Sequence, residues 1–122
     1  MFRYFVALIV VVVLGAMFST RRVFTQESPK ILDEYQCKGT GEQGEYTTKL
    51  VIKKDRDNYL LYWDSSLGMG FRYNNQLAAV FVIGGSGAVG VILYQILDGR
   101  LVGDWTGGDG RIYKETCLAG LS

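Results

Sequence analysis

The chain contains no histidine among its 122 residues. Without an imidazole there is no Ser–His or Cys–His nucleophile pair, no imidazole base and no zinc site built on histidine. Cysteine is scarce too: only Cys37 and Cys117 occur, and once they are oxidised no thiolate remains. The sequence therefore predicts a protein that is not an enzyme, with no catalytic residue, no metal ligand set and no cofactor.

A strong excess of charge of one sign is also missing. The 13 Lys and Arg residues are nearly balanced by 12 Asp and Glu residues, for a formal net charge of +1. Domains that bind nucleic acid carry a basic patch or stripe. We therefore expect no nucleic-acid partner.

The one long hydrophobic run lies near the N-terminus, where residues 4–18 read YFVALIVVVVLGAMF. A membrane-spanning helix needs about 20 apolar residues, whereas a signal peptide needs a positive start, an apolar core of about 7–15 residues and a small-residue cleavage site. Because Leu14-Gly15-Ala16 is a poor cleavage site, we expect residues 1–22 to be an uncleaved transmembrane anchor. A cleaved signal peptide is the alternative.

The two cysteines indicate on which side of the membrane the rest of the chain lies. Disulfides persist mainly in exported proteins, so we expect the C-terminal part outside the cytoplasm. No cysteine lies near the apolar run, which excludes lipoprotein processing. Within the run, Gly15 and Ala16 are small residues that permit close helix packing. The membrane and other membrane-protein subunits are therefore the expected partners.

After a polar linker at residues 23–33, the chain changes to short alternating runs separated by turn residues. Period-2 runs rich in β-branched and aromatic residues, spaced by roughly 8–12 residues, predict strands of a sandwich or barrel. Asp98-Gly99 between two such runs is a strong hairpin signal. Eight runs fit: 34–39, 45–54, 58–64, 69–73, 76–83, 88–97, 100–106 and 111–118. Because all the connections are short, we predict an all-β domain over residues 34–120, an eight-stranded antiparallel up-and-down barrel of calycin or avidin type.

Gly85, Gly87 and Gly90 match G-x-G-x-x-G, the glycine fingerprint of dinucleotide-binding folds. In such folds the last glycine opens a helix, and a parallel strand follows within a unit of about 30 residues. Here Gly90 is followed by VILYQIL and then by Asp98-Gly99, which leaves no room for a helix. We therefore interpret these glycines as a hairpin loop and a strand position.

In a closed meander the first strand pairs with the last, which brings Cys37 close to Cys117. The sequence predicts a disulfide between them that joins the two ends of the barrel. Two buried free thiols are the alternative.

An eight-stranded barrel is just wide enough to be filled by side chains or to hold one small ligand. Alternation directs a set of large side chains to one face: Tyr46, Leu50, Ile52, Leu61, Trp63, Leu101 and Trp105. Trp and Tyr offer flat faces with a hydrogen-bonding edge. The candidate ligand contacts inside the barrel are therefore Tyr46, Trp63, Trp105 and Glu115.

Glu115 is in period with Tyr113 and Cys117 and is expected to point inward, where a buried carboxylate requires a partner. Two hypotheses follow. Glu115 either anchors a bound ligand, or it accepts a hydrogen bond from a tyrosine, an indole or Arg72.

The most specific pattern in the chain lies in residues 90–118, GVILYQILDGRLVGDWTGGDGRIYKETCL. With Tyr35-x-Cys37-x-Gly39, it follows Y-x-C-x-G … G-V-x-x-Y-x-I-x-x-G-x-L-x-G-x-W … E. The chain thus resembles a family of exported, largely uncharacterised bacterial β-barrel proteins. The resemblance covers nearly all of residues 34–118. It implies an exported bacterial protein, and it implies no activity. Together with the anchor and the two cysteines, it leads us to expect a single-pass protein of the bacterial inner membrane with a periplasmic barrel. RIYKE departs from the family pattern, which more often has a small residue before the glutamate.

The segment DGRLVGDW also looks like a strand of avidin-type barrels, and its GDW is similar to the lipocalin G-x-W. This likeness supports only the analogy to a small meander barrel. From these observations we expect a non-enzymatic, membrane-anchored accessory or scaffold subunit of a larger membrane-protein complex. The alternative is a lipocalin- or avidin-like protein that binds a small apolar ligand in the barrel.

Overall fold

The computed structural model describes residues 28–120, of which residues 34–119 build one closed antiparallel barrel. Each strand pairs with its neighbours in the chain, and the first strand pairs with the last. The strands are β1 (Glu34–Gly41), β2 (Gly44–Asp55), β3 (Asn58–Trp63), β4 (Ser66–Tyr73), β5 (Gln76–Ile83), β6 (Val89–Leu97), β7 (Arg100–Thr106) and β8 (Tyr113–Ala119). The predicted eight-stranded up-and-down barrel is confirmed.

The largest error in the predicted strand bounds is at β4, which begins at Ser66 rather than at residue 69. The predicted strand starts at Met69 and assigns Gly68 to the turn before it, and glycine is indeed rare in strands. In the barrel, Gly68 pairs with Phe81 and Ser66 pairs with Ile83, so the strand continues through the glycines.

The two ends of the barrel differ in the length of their connections. The short β2–β3, β4–β5 and β6–β7 turns lie beside the start of β1, and we call this end the base. Left-handed backbone at Arg56, Asn74 and Gly99 closes these tight turns. The other four connections form the opposite end, the rim. There Gly85 and Gly87, both with positive φ, lie in the β5–β6 loop, so the first two glycines of the fingerprint are loop positions, as predicted.

Alternation along the strands fills the interior with apolar side chains. The fully buried positions come from every strand except β4, which contributes glycines instead. Burying each Leu, Ile or Val side chain stabilises the fold by about 1.5–3 kcal/mol. The buried apolar residues are Tyr35, Cys37, Leu50, Ile52, Leu61, Leu77, Ala79, Phe81, Ile92, Tyr94, Ile96, Leu101 and Cys117.

Large aromatic rings inside the barrel lie over glycines of adjacent strands. A Cβ on Gly90 would be 2.3 Å from the Phe81 ring, and one on Gly103 would be 2.7 Å from the Tyr94 ring. Gly90 pairs with Phe81 and Gly103 pairs with Tyr94 across neighbouring strands. Only glycine leaves space for these rings. This explains Gly90, the last glycine of the fingerprint, without any nucleotide, and it explains Gly103 in the same way.

Cys37 of β1 and Cys117 of β8 are directly opposite each other and form a disulfide. Both residues are buried, and the bridge joins positions 80 residues apart in the chain. In the chain-entropy account, closing a loop of that length in the unfolded state stabilises the fold by up to about 4.5 kcal/mol. The predicted closure of the barrel at its ends is therefore present.

The last residues of the linker are fixed against the base of the barrel. The Arg72 guanidinium donates to the Pro29 carbonyl oxygen (2.7 Å), and the Leu32 backbone N–H donates to the Tyr35 hydroxyl (2.7 Å). Ile31 packs against the core from below. The chain thus enters the barrel at the base, close to the end of β4.

Candidate functional site

The barrel interior contains one buried carboxylate, that of Glu115, which is 3 % exposed. Glu115 lies on β8, opposite Gly39 of β1 and Gly103 of β7. Because both neighbours lack side chains, the carboxylate has lateral space among the rings above and below it. The inward orientation predicted for Glu115 is the one that the structure has.

Three donors surround the Glu115 carboxylate. The Tyr46 hydroxyl donates to Oε1 (2.8 Å), and the Tyr94 hydroxyl donates to Oε2. The Trp63 Nε1–H points at both Oε2 (3.4 Å) and the Tyr94 hydroxyl oxygen (3.2 Å). Of the two hypotheses for Glu115, this geometry corresponds to the second, in which the carboxylate accepts hydrogen bonds from tyrosine and indole side chains of the barrel. Arg72 takes no part, since its guanidinium binds the Pro29 and Asn74 carbonyl oxygens and the Asn75 side chain.

The carboxylate changes the acidity of the two tyrosines that bind it. Burial, together with the negative charge and hydrogen bond of Glu115, raises the pKa of Tyr94 well above its ordinary value. The same causes, again led by burial, raise the pKa of Tyr46. Both hydroxyls therefore remain protonated donors at neutral pH, and neither can act as a general base.

Cys37, Glu115 and Cys117 form the grouping of metal-ligand residue types found within residues 28–120. Their ligand atoms all lie within 4.8 Å of one another. Both sulfurs, however, belong to the disulfide, and a cysteine binds a metal ion only as its thiolate. What remains is a single carboxylate that already accepts three hydrogen bonds, so we do not assign a metal centre to this cluster.

The remaining candidate contacts lie nearer the rim and pack against one another. Trp63 meets Phe81 edge-on with ring centroids 5.7 Å apart, and Phe81 meets Trp105 in the same way at 5.9 Å. Tyr46 and Trp105 are 6.3 Å apart, also edge to face. Such distances are those of aromatic pairs in direct contact. The structure thus brings Tyr46, Trp63 and Glu115 into one hydrogen-bonded cluster, with Trp105 packed beside it.

The outer surface of strands β4, β5 and β6 has a feature that the sequence reasoning missed. Every outward position in three successive cross-strand rows is apolar. Apart from Ala78, each of these side chains is between 45 % and 57 % exposed. We call this surface the apolar face; its residues are Leu67, Met69, Phe71, Ala78, Val80, Val82, Val89, Val91 and Leu93.

The apolar face is concave along part of its width. An open groove of about 470 Å³ crosses it, lined by residues of β4 to β7 and by Ile112 of the loop before β8. Asp104 on β7, at one side of the groove, is held in an ion pair with Lys114. The groove lining that belongs to β4–β6 carries no ionisable group.

The opposite half of the barrel wall is polar. Outward positions of β1, β2 and β8 include Lys38, Lys49, Lys53, Lys114 and Thr116, all exposed. The Lys49 ammonium pairs with the Glu34 carboxylate at 2.6 Å. The barrel is therefore amphipathic around its circumference, with a charged half and an apolar half.

Several sequence predictions fall on residues outside the described range. The anchor at residues 1–22, with Gly15 and Ala16, and the first part of the linker belong to this group. In the part of the chain that the structure describes, there is no helix with the length and hydropathy that crossing a bilayer requires.

Comparison of the chain with protein-family models, with curated proteins and with solved structures finds no match. The resemblance to exported bacterial β-barrel proteins therefore stays a prediction. The inference of function has to come from the interior cluster and the apolar face.

Proposed function

We propose that this chain is a non-enzymatic accessory or scaffold subunit of a larger membrane-protein complex. In this proposal residues 1–22 anchor it in the bacterial inner membrane, and the barrel lies in the periplasm. The barrel binds a protein partner through the apolar face. The observation that carries the proposal is that face itself, an uninterrupted set of exposed apolar side chains on three adjacent strands.

The area of the apolar face supports a role in protein binding. Eight side chains that each expose about half of their surface present roughly 800 Å², whereas the largest apolar patch on a monomeric protein is typically about 300–600 Å². Exposed apolar patches larger than this range mark sites of protein–protein or membrane interaction.

Binding of a small apolar ligand inside the barrel has less support. The rings that would line a cavity contact one another, and the carboxylate beneath them already has its hydrogen-bond donors. Within the described residues, Trp105 Nε1 is the buried side-chain nitrogen without a partner. An apolar ligand would not satisfy that N–H group, so this atom does not favour the ligand hypothesis.

Accessibility of introduced thiols tests the proposal. Val80 lies at the centre of the apolar face, and Thr116 is an exposed residue of the polar half. Since both native cysteines are in the disulfide, Val80→Cys or Thr116→Cys supplies the one free thiol in the described part of the chain. A membrane-impermeant maleimide added to cells with a permeabilised outer membrane should label Thr116→Cys and should leave Val80→Cys unlabelled until detergent and urea are added.

Two results would contradict the proposal. Equal labelling of both variants in the native membrane would mean that the apolar face has no partner. Labelling of neither variant until the inner membrane is broken would place the barrel in the cytoplasm.

A further inference from the structure

We propose that the partner on the apolar face is a second copy of this chain. Two barrels would pack sheet on sheet about a two-fold axis that runs roughly parallel to the barrel axes. The inference rests on the proposed function only in its claim that this face binds protein. It adds the identity and the symmetry of the partner.

The first argument is that no outward position of β4–β6 carries a charged side chain. A two-fold axis places a surface against itself, so that every charged residue near the axis meets its own copy. Like charges opposed in this way cost several kcal/mol. The central row of the apolar face consists of Met69, Val80 and Val91, and the rows on either side of it are also uncharged. Two copies of this surface can therefore face each other without opposing like charges.

The size of the face is the second argument. Its roughly 800 Å² is the area that each partner contributes to a standard protein–protein interface. Three of the eight strands contribute to the face, and two sheets can pack face to face at a spacing of about 10 Å. A second copy offers the same area in return.

The position of the linker is the third argument. Pro29 is bound to Arg72 at the base, so the chain enters from that end. The nine residues 19–27 between the apolar run and the described chain span at most about 30 Å. With the base directed toward the membrane, the apolar face points sideways. Two copies anchored in one bilayer then present this face at the same height, and their tethering raises the effective concentration of each for the other.

The distribution of lysine argues against the lipid bilayer as the occupant. Basic residues near an anionic membrane surface each contribute about 1 kcal/mol of attraction. Here Lys38, Lys49, Lys53 and Lys114 all project from the other half of the wall. The outward positions of β4–β6 carry no lysine or arginine, so the apolar face lacks this attraction for an anionic lipid surface.

Cross-linking of the full-length chain in its native membrane tests the inference. Val80 is nearest the expected axis, so the two copies of Val80→Cys should be joined by a small, uncharged bismaleimide whose spacer is about 10 Å, the spacing of packed sheets. Unlike the bulkier charged maleimide used for labelling, this reagent can enter the interface between the two sheets. We expect a product of twice the mass of the chain, identified by mass spectrometry. Thr116→Cys, on the far side of the barrel, should give none.

A disrupting substitution at the centre of the face provides the second variant. In a Val91→Cys background, we expect Val80→Glu to reduce the amount of double-mass product at least tenfold and Thr116→Glu to leave it unchanged. Val80 is already half exposed, so Val80→Glu should not unfold the barrel; the melting temperature of the purified chain checks this.

The outcomes separate this inference from the proposed function. A double-mass product that depends on Val80 supports the two-fold dimer, even if no other subunit is ever found. If neither Val80→Cys nor Val91→Cys gives a double-mass product, and Val80→Cys is still protected from the labelling maleimide, the dimer is overturned. A different subunit or the bilayer then covers the face. No product and full labelling of Val80→Cys overturn both.

Discussion

Substitution of Glu115 by glutamine is expected to destabilise the barrel strongly, although it changes only one oxygen to an amide nitrogen. The carboxylate is an acceptor for Tyr46, Tyr94 and Trp63. Since the Trp63 indole is a donor only, glutamine must place its carbonyl oxygen at the position of Oε2, where it can accept from both Trp63 and Tyr94. Its NH₂ group then faces the Tyr46 hydroxyl, which can no longer donate there and must turn to accept.

The magnitude follows from these contacts. Hydrogen bonds to a charged acceptor contribute about 1.5–3 kcal/mol each. Glutamine loses the bond from Tyr46 to a charged acceptor and weakens the bonds from Tyr94 and Trp63, because its oxygen is neutral. The loss is partly offset because no charge remains to be desolvated. We expect a net loss of about 2–3 kcal/mol. For a domain of this size, 1 kcal/mol lowers the melting temperature by about 4–8 °C, so the expected fall is roughly 10–20 °C.

The assay is thermal unfolding of the full-length chain in mild detergent, followed by circular dichroism. Glu45→Gln is the matched control, since Glu45 lies on an exposed outward position of β2. The control should change the melting temperature by less than 2 °C or so, as surface substitutions usually do. A Glu115→Gln variant that melts within about 3 °C of the wild type would refute the assignment of Glu115 as a structural acceptor. It would return attention to a ligand.

Three further predictions concern the same interior. Reduction of the denatured wild-type chain should add about 2 Da to its mass, and Cys37→Ala/Cys117→Ala should lower the stability by up to about 4.5 kcal/mol; an unchanged mass would mean free thiols. Gly90→Ala should lower the free energy of unfolding by about 1–3 kcal/mol, because its Cβ would overlap the Phe81 ring. Gly107→Ala, whose Cβ would be 3.7 Å from Trp105, should lower it much less. Equal losses would contradict the packing of the Phe81 ring over Gly90. The free energy of unfolding should fall above about pH 10, because folded Tyr94, with its raised pKa, keeps a proton that the unfolded chain releases. Tyr94→Phe should make this decline with pH shallower. An identical decline in the variant would exclude Tyr94 as its cause.

The strand count and the closure of the barrel could be read from the sequence because most strands have only one buried face. In β7, buried Leu101 and Gly103 alternate with exposed Val102 and Asp104. Such alternation indicates one structure only, a strand with one buried face. Closure then follows from the short connections, and it brings Cys37 to Cys117. These inferences depend only on local periodicity and on chain order.

The apolar face escaped the sequence reasoning because β5 and β6 are apolar on both faces. QLAAVFVI and VGVILYQIL show little polar alternation, and a continuous apolar run of this length is also typical of a fully buried strand. A signal was nevertheless present. In a single-walled barrel, the outer side of a strand normally faces water. A strand that is apolar on both its inward and its outward positions therefore implies a binding partner on the outer surface.

The partners of Glu115 could not be assigned in advance. Tyr46, Trp63 and Tyr94 lie on three different strands, 69, 52 and 21 residues away in sequence. Which side chains meet across a barrel depends on the register of every intervening pair, and alternation alone does not specify it. Arg72 was considered as a partner, but it lies at the base and binds the linker instead.

The central claim is that the barrel is a protein-binding subunit of a membrane assembly. The most direct measurement is the migration of the wild-type chain on a native gel after mild-detergent extraction from its own membranes, with mass spectrometry of the band. The account predicts co-migration with an assembly much larger than one chain, with the N-terminal segment retained. A free, processed monomer in the soluble fraction would contradict it.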